Sequence, residues 1–336
     1  METKTEKPDG IFYKDWHGKP YYSLDAYCKN TYGEKLYKIA LNAGLSCPNR
    51  DGTLDDRGCI FCSAGGSGDF ASTLYSDSEN ASLELFSNAL DHGRQSLSGK
   101  QTGQRLIAYF QAYTNTYGPI DYLEKLYRLA LNDPSVAGIS IATRPDCLPD
   151  QVLQLLLKLK RDYADKFIWI ELGLQTIHER TARWFRRGYP LSCFEKSLNL
   201  LHDAEIPVIT HVILGFPGET IQDMWATIDY LNQNPVWGIK LQLLHILKNT
   251  DLAALWAQDP ITYGSFATLD AYLDALISCL LRLRPDMVVH RVTGDAPRSL
   301  LLAPLWSANK RMVLNTLHQR MKQQDAFQGK FYRKDG

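Results

Sequence analysis

Short apolar runs alternate with longer amphipathic stretches through most of this chain. The runs at residues 36–41, 105–111, 136–142, 167–173, 207–214 and 238–245 have the length and make-up of buried strands. Between them, apolar positions recur at helical spacing. In 148–163, Leu148, Val152, Leu155, Leu156 and Leu159 mark one face. Pro119, Pro145 and Pro190 punctuate the boundaries. Such repetition predicts an α/β fold in which helices cover a parallel sheet, either an open six-stranded partial barrel or a doubly wound sheet. A last amphipathic helix is expected over 309–322, with Leu314, Leu317 and Met321 facing inward and Lys310, Arg311, Arg320 and Lys322 outward.

Polar residues cluster where the strands end. The second strand runs into Gln111, Tyr113, Thr114 and Asn115, the third into Thr143 and Arg144, and the fourth contains Glu171 and Gln175. The fifth contains His211 and leads to Gly215, Pro217 and Gly218, while the sixth carries Lys240, Gln242 and His245. In parallel α/β folds the chemistry gathers beyond the C-terminal strand ends. Five polar ends together predict a site there. A histidine within a strand is also an ordinary satisfied core group, and a glycine turn is often only a tight turn.

Composition changes this picture little. Of 336 residues, 45% are apolar and 22% charged, ordinary for a soluble globular protein. No run approaches the ~20 apolar residues of a membrane span, and residues 1–10 lack the apolar centre of a secretory signal. Seven cysteines in a chain this long do not read as a disulfide framework, which fits a reducing cytoplasm. Net charge is zero, yet 281–336 carries eleven bases against four acids. That excess fits either a phosphate-binding surface or a solvated helix face.

Cys47, Cys59 and Cys62 stand in one segment with no fourth cysteine nearby. Structural zinc sites and most iron–sulfur clusters take four protein ligands. Three thiolates on a four-iron cluster leave one iron free to bind something else. The alternatives are a Cys-x-x-Cys redox pair, which the third cysteine makes less apt, and a zinc site completed by His17 or His92; on spacing alone the cluster is favoured.

The spacing of these cysteines, with Cys59-Ile60-Phe61-Cys62, resembles the radical S-adenosylmethionine (SAM) superfamily, in the branch of the elongator catalytic subunit. Residues 170–176 resemble a strand signature shared by the elongator and coproporphyrinogen branches. From about Tyr37 to Gly329 the chain resembles a bacterial YhcC/YtqA/MnmL-type subgroup. The resemblance implies a partial (β/α)6 barrel of radical SAM type over 35–257, preceded by an extension at 1–34 and followed by a basic, mainly helical extension at 258–336. It implies a 4Fe-4S cluster on Cys47, Cys59 and Cys62, with SAM on the free iron.

For SAM, the resemblance implies packing of adenine by Phe61 and the turn at Gly215 and Pro217, with Glu171 and Gln175 on the ribose. Gln111 to Asn115 occupies the place of a Gly-Gly-Glu turn that binds the SAM amino group, although the wording here differs. Thr143, Arg144 and His211 are further cofactor-binding candidates at the strand ends. Arg187 is expected to clamp a carboxylate bidentately, or else to be an exposed helix-end arginine. Glu171 has the alternative of pairing with Arg144.

The implied reaction is formation of a 5′-deoxyadenosyl radical, with an electron donor such as flavodoxin or ferredoxin. The implied substrate is the wobble uridine of a tRNA anticodon loop, converted from the 5-carboxymethylaminomethyl-(2-thio) to the 5-aminomethyl form. The rival expectations are a radical SAM enzyme on a small molecule such as a tetrapyrrole, and a non-catalytic metal-bearing nucleic-acid-binding module.

Overall fold

The structure, a computed structural model, describes residues 16–75, 82–97 and 103–333. The stretch 1–10 and the tail residues Lys334 and Asp335 lie outside these. The six expected runs form strands β1 (Tyr37–Asn42), β3 (Leu106–Phe110), β4 (Val136–Thr143), β5 (Phe167–Gln175), β6 (Val208–Leu214) and β7 (Gly238–Leu243), and β2 (Ser72–Thr73) lies between the first two. Three further strands follow: β8 (Ile246–Leu247), β9 (Val288–Arg291) and β10 (Leu301–Ala303). Eight of them make one sheet in the order β2-β1-β3-β4-β5-β6-β7-β9, every neighbour parallel. The sheet is an open parallel partial barrel, two strands larger than expected. The run at 238–245 stops short because the chain leaves the sheet at Leu243, and β8 then pairs antiparallel with β10.

The central strands are rich in apolar residues because both faces of the sheet are covered. In β4 every residue is buried. Helices α1 (Leu24–Tyr32), α2 (Leu83–Leu97), α3 (Ile120–Leu131), α4 (Asp150–Asp162), α5 (Glu179–Trp184), α6 (Leu191–Asp203), α7 (Ile221–Asn232), α8 (Asp251–Gln258), α9 (Leu269–Arg282) and α10 (Lys310–Gln323) complete the chain. In α4, Val152, Leu155, Leu156 and Leu159 are buried as the spacing predicts. They join Ile168, Ile170 and Leu172 of β5 in the main core.

The other face of the sheet is layered. At the closed end Trp169, Ile209, Ile107 and Ala137 pack with Cys28 of α1, and Tyr27 meets Trp237 at 4.9 Å between ring centroids. Helix α1 is held there by its Ser23 cap and by the bridge from Ser23 to Val289. One residue pair further along the strands, the alternation brings Lys38, Tyr109, Glu171, His211 and Lys240 inward. The open end above them carries the cysteine segment.

Residues beyond 257 are mainly helical and pack into the main fold: β9 joins the sheet, and Leu273, Leu276 and Leu280 of α9 share one core with Leu231 and Leu241. In α10, Leu317 and Met321 are buried as expected, Leu314 packs half-buried against the same core, and Val313 adds a further buried position. No helix among the described residues is long and apolar enough to cross a membrane.

Candidate active site

After β1 the chain turns tightly through Cys47, with the Arg50 and Asp51 amides donating to its carbonyl at 2.7 and 3.2 Å. A second turn runs from the Cys62 amide to the Cys59 carbonyl, 2.9 Å. Buried Asn49 joins this segment to the loop after α5. Its Nδ2 donates to Cys59 Sγ at 3.6 Å and to the Arg186 carbonyl at 2.7 Å. Arg50 Nη2 donates to the carbonyls of Cys62 and Ser63 at 2.7 and 2.8 Å. Arg186 sits at φ 61°, a conformation costly for a non-glycine residue, and its Nε donates to the Gly58 carbonyl at 2.8 Å.

Cys47, Cys59 and Cys62 all line a cavity of about 260 Å³ at the open end of the barrel. Among the described residues no three histidine, cysteine or acidic groups come together around a single ion. His17 instead bonds Asn30 at 2.7 Å, and neither it nor His92 lines the cavity. A zinc site completed by His17 or His92 is therefore not formed. Three thiols around one cavity fit a larger cluster with one open position. Burial pushes the Cys59 thiol up to about 12 and raises Cys62 as well, so binding a metal there releases protons.

Below the cysteines lies a buried charge cluster. Glu171 is fully buried, and each of its oxygens accepts from two donors. Oε1 accepts from Lys38 and, at 2.6 Å, from Ser140. Oε2 is paired with Lys240 and, at 2.6 Å, with His211. Burial acts to raise the Glu171 carboxyl, but Lys240, Lys38 and His211 outweigh it and hold the group well below the usual carboxylate range. Burial and the Lys240 charge push His211 down to about 4. Lys240 also donates to the Tyr109 hydroxyl at 2.8 Å.

The cavity gathers most of the residues expected from the sequence. Phe61, Gln111, Thr143, Arg144, Glu171, Gln175, Arg187 and His211 line it with the cysteines. Phe61 packs against Phe185 and Phe216 at centroid distances of 5.4 and 6.0 Å. Gln175, at φ 64°, sits where the pairing of β5 with β6 shifts. Asn115 does not reach the cavity. It is buried and ties the loop after β3 to the Ala112 and Ala142 carbonyls. Gly215 and Pro217 also lie outside the lining, and Gly215 packs beneath Ser265 and Phe266.

Three expected roles change. Glu171 does not pair with Arg144, and its oxygens are saturated by cations and hydroxyl, leaving nothing to accept a ribose diol. Arg144 instead forms a fork with Asp146, 2.9 and 2.7 Å. Arg187 is 1% exposed, so it is no surface arginine. Its guanidinium donates to the carbonyls of Tyr189, Leu174 and Thr176 and to Glu179, which uses four of five N–H groups and precludes a bidentate clamp. Asn49, Arg50, Lys38 and Arg291 were not singled out from the sequence, because nothing in their local pattern separates them from surface polar residues.

The chain belongs to the radical SAM superfamily: the superfamily model matches residues 56–231, and a radical SAM C-terminal domain model matches 236–323. It is 38% identical to the uncharacterized protein YtqA of Bacillus subtilis over 316 residues, 94% of each chain. It is 34% identical to protein YhcC of Escherichia coli, covering 83% of this chain and 85% of that one. Elongator complex protein 3 of Schizosaccharomyces pombe is 26% identical over 55% of this chain and 33% of its own length. The fold also matches the archaeal Elp3 of Methanocaldococcus infernus with a TM-score of 0.62 at 12% identity, over 87% of this chain and 64% of that one. The protein is thus a radical SAM enzyme, and its family implies a 4Fe-4S cluster and SAM.

Proposed function

We propose that this enzyme acts on the wobble uridine of tRNA, taking the 5-carboxymethylaminomethyl-(2-thio) form to the 5-aminomethyl form. The observation that carries the reading is the match along 94% of the chain to YtqA, within the subgroup whose resemblance implies this reaction. The partial match to elongator complex protein 3 supports it from a second branch.

When bound, the reduced cluster and SAM supply a 5′-deoxyadenosyl radical able to take a hydrogen atom from an unactivated carbon. The chain's own residues do the positioning. Cys47, Cys59 and Cys62 would hold the cluster, with Asn49 and Arg50 fixing the segment that carries them. Phe61, Gln111 and Gln175 are the cavity-facing residues suited to SAM. The net change removes the carboxymethyl group from the amine nitrogen and keeps the aminomethyl part. The methylene beside the substrate carboxylate is the hydrogen-atom source offered to the 5′-deoxyadenosyl radical. A wobble base belongs to a single-stranded loop, from which it is extruded at modest cost.

The basic C-terminal surface is smaller than its charge count suggests. Lys310 pairs with Asp295, and Arg320 with Asp270 and Asp274. Arg298, Arg311 and Lys322 are exposed and form no ion pair among the described residues, which leaves them for phosphate contacts. The deciding experiment reconstitutes the protein anaerobically and supplies SAM, a reductant such as flavodoxin or ferredoxin, and tRNA bearing the carboxymethylaminomethyl arm. Formation of 5′-deoxyadenosine together with aminomethyluridine is expected. 5′-Deoxyadenosine without any change in the wobble nucleoside overturns the tRNA reading and favours a small-molecule substrate such as a tetrapyrrole.

A further inference from the structure

The inner end of the cavity holds more positive charge than its own acids balance. Lys38 and Lys240 share the single carboxylate of Glu171. Arg291 and Lys310 share Asp295, at 3.0 and 2.9 Å. Two carboxylates therefore serve four cations, and two of those cations, Lys240 and Arg291, line the cavity. Lys240 is 3% exposed, and burial pushes its ammonium well below the usual lysine range, so an anion beside it would restore the charged form.

The strand register makes this arrangement deliberate. His211 of β6 is paired with Lys240 of β7, and Lys240 with Arg291 of β9. Register partners on neighbouring strands stand on the same face. The last pairing exists only because the ladder shifts between Ile239 and Lys240, skipping His290. Irregularities of this kind re-aim a side chain. Here the shift sets a second cation beside the first.

We propose that this row is an anion-binding subsite in which Lys240 and Arg291 receive a carboxylate. Two carboxylates are available in the reaction, that of SAM and that of the substrate arm. The substrate is favoured, because neither Lys240 nor Arg291 shares a hydrogen bond or ion pair with the cysteine segment among the described residues. Arg187 and Arg144, by contrast, sit beside that segment: the Arg187 carbonyl lies 3.4 Å from Asn49 Nδ2, and Gly188 separates Asn49 from Arg144. Both of those arginines are already engaged. The inference rests on the wobble-uridine reading for the identity of the anion, though not for the existence of the subsite.

The test measures dissociation constants of the reconstituted protein for tRNA with carboxymethylaminomethyl-uridine, for tRNA with aminomethyl-uridine, and for SAM. A charge-assisted contact predicts a wild-type preference for the carboxylate arm of roughly 10- to 100-fold. In Lys240→Met that ratio should fall to near one with SAM affinity unchanged, and Lys240→Arg should keep part of it. An unchanged ratio in both Lys240→Met and Arg291→Met overturns the proposal. So does a tenfold loss of SAM affinity in Lys240→Met with the tRNA ratio intact, which gives the row to SAM. Arg291 lies outside the Glu171 cluster, so Arg291→Met keeps the test open should Lys240→Met not fold. If wild type binds neither tRNA, the wobble reading fails and acetate reads the subsite alone. Line broadening of labelled acetate by wild type that is lost in Lys240→Met supports it, and equal behaviour of the two overturns it.

Discussion

Asn49 donates its side-chain amide to Cys59 Sγ at 3.6 Å while the same nitrogen reaches the Arg186 carbonyl at 2.7 Å. One buried side chain thus orients a cluster thiol and anchors it to the loop after α5. Partners of metal ligands typically contribute 10- to 100-fold in metal affinity. Asn49→Ala is therefore expected to lower iron retention by roughly that factor. Iron per chain and the cluster absorbance during chelator titration measure it. Retention equal to wild type removes Asn49 from the cluster's support.

Glu171 compensates two buried lysines at once. Glu171→Gln keeps the shape and leaves Lys38 and Lys240 without a counter-charge. Breaking a buried pair in this way costs about 3–5 kcal/mol. Denaturant unfolding should show that loss, and Lys38→Met in the same chain should restore part of it, since one buried cation goes with the acid. Additive losses in the double variant contradict a shared cluster.

Arg187 is a brace between the end of β5 and the loop at Tyr189. Lysine there places one point charge where a planar fork had four partners. Arg187→Lys is expected to lose at least about 2 kcal/mol, as buried carbonyls are left unpaired. Unfolding midpoint and SAM affinity are to be measured together. A normal midpoint with weakened SAM binding restores the clamp.

Burial pushes His245 down to about 4, with Asp295 opposing and Arg291 assisting the shift, and its Nε2 bonds Ser307 Oγ at 3.0 Å. In the unfolded chain the same ring takes a proton near its ordinary value of 6.5. Between those values the unfolded state binds the extra proton, so stability rises with pH and is lost as pH falls from about 6.5 toward 4. Urea midpoints across this window should drop on acidification. His245→Gln should flatten the slope by up to one proton, about 1.4 kcal/mol per pH unit. An unchanged slope means that other groups carry the acid sensitivity.

Among the described residues Arg311 and Lys322 of α10 form no ion pair, whereas Arg320 is held by Asp270 and Asp274. Reversing either free charge, Arg311→Glu or Lys322→Glu, should weaken tRNA binding and make the log K against log salt slope shallower by about one per lost phosphate contact. Arg320→Gln should change it less. Equal slopes for all three place the phosphates on another surface.

The six central strands were legible because each is an apolar run of strand length bounded by turns. The two additional sheet strands were not, since β2 spans two residues and β9 four. Runs that short carry no readable period. The same limit governs the site. The cysteines, Phe61, Gln111 and Gln175 announce themselves by motif or by position at a strand end. Asn115 sits equally well at a strand end, yet its amide is used on the Ala142 carbonyl. Arg187 is the second residue of a recognisable arginine pair, and only its four hydrogen-bonding partners show it to be a brace.

What the sequence by itself determined is the chemistry on offer: three thiols in one segment, a parallel α/β frame, and polar residues at its strand ends. Local spacing suffices for these, because ligand count and strand periodicity are properties of neighbouring residues. Only the tertiary structure decided which charges meet. Lys38 stands 133 residues from Glu171, and His211 stands 40 from it. The pairing of Lys240 with Arg291 depends on a shift in strand register. Electrostatic partnership depends on distance and burial in the folded chain, and a linear pattern carries neither.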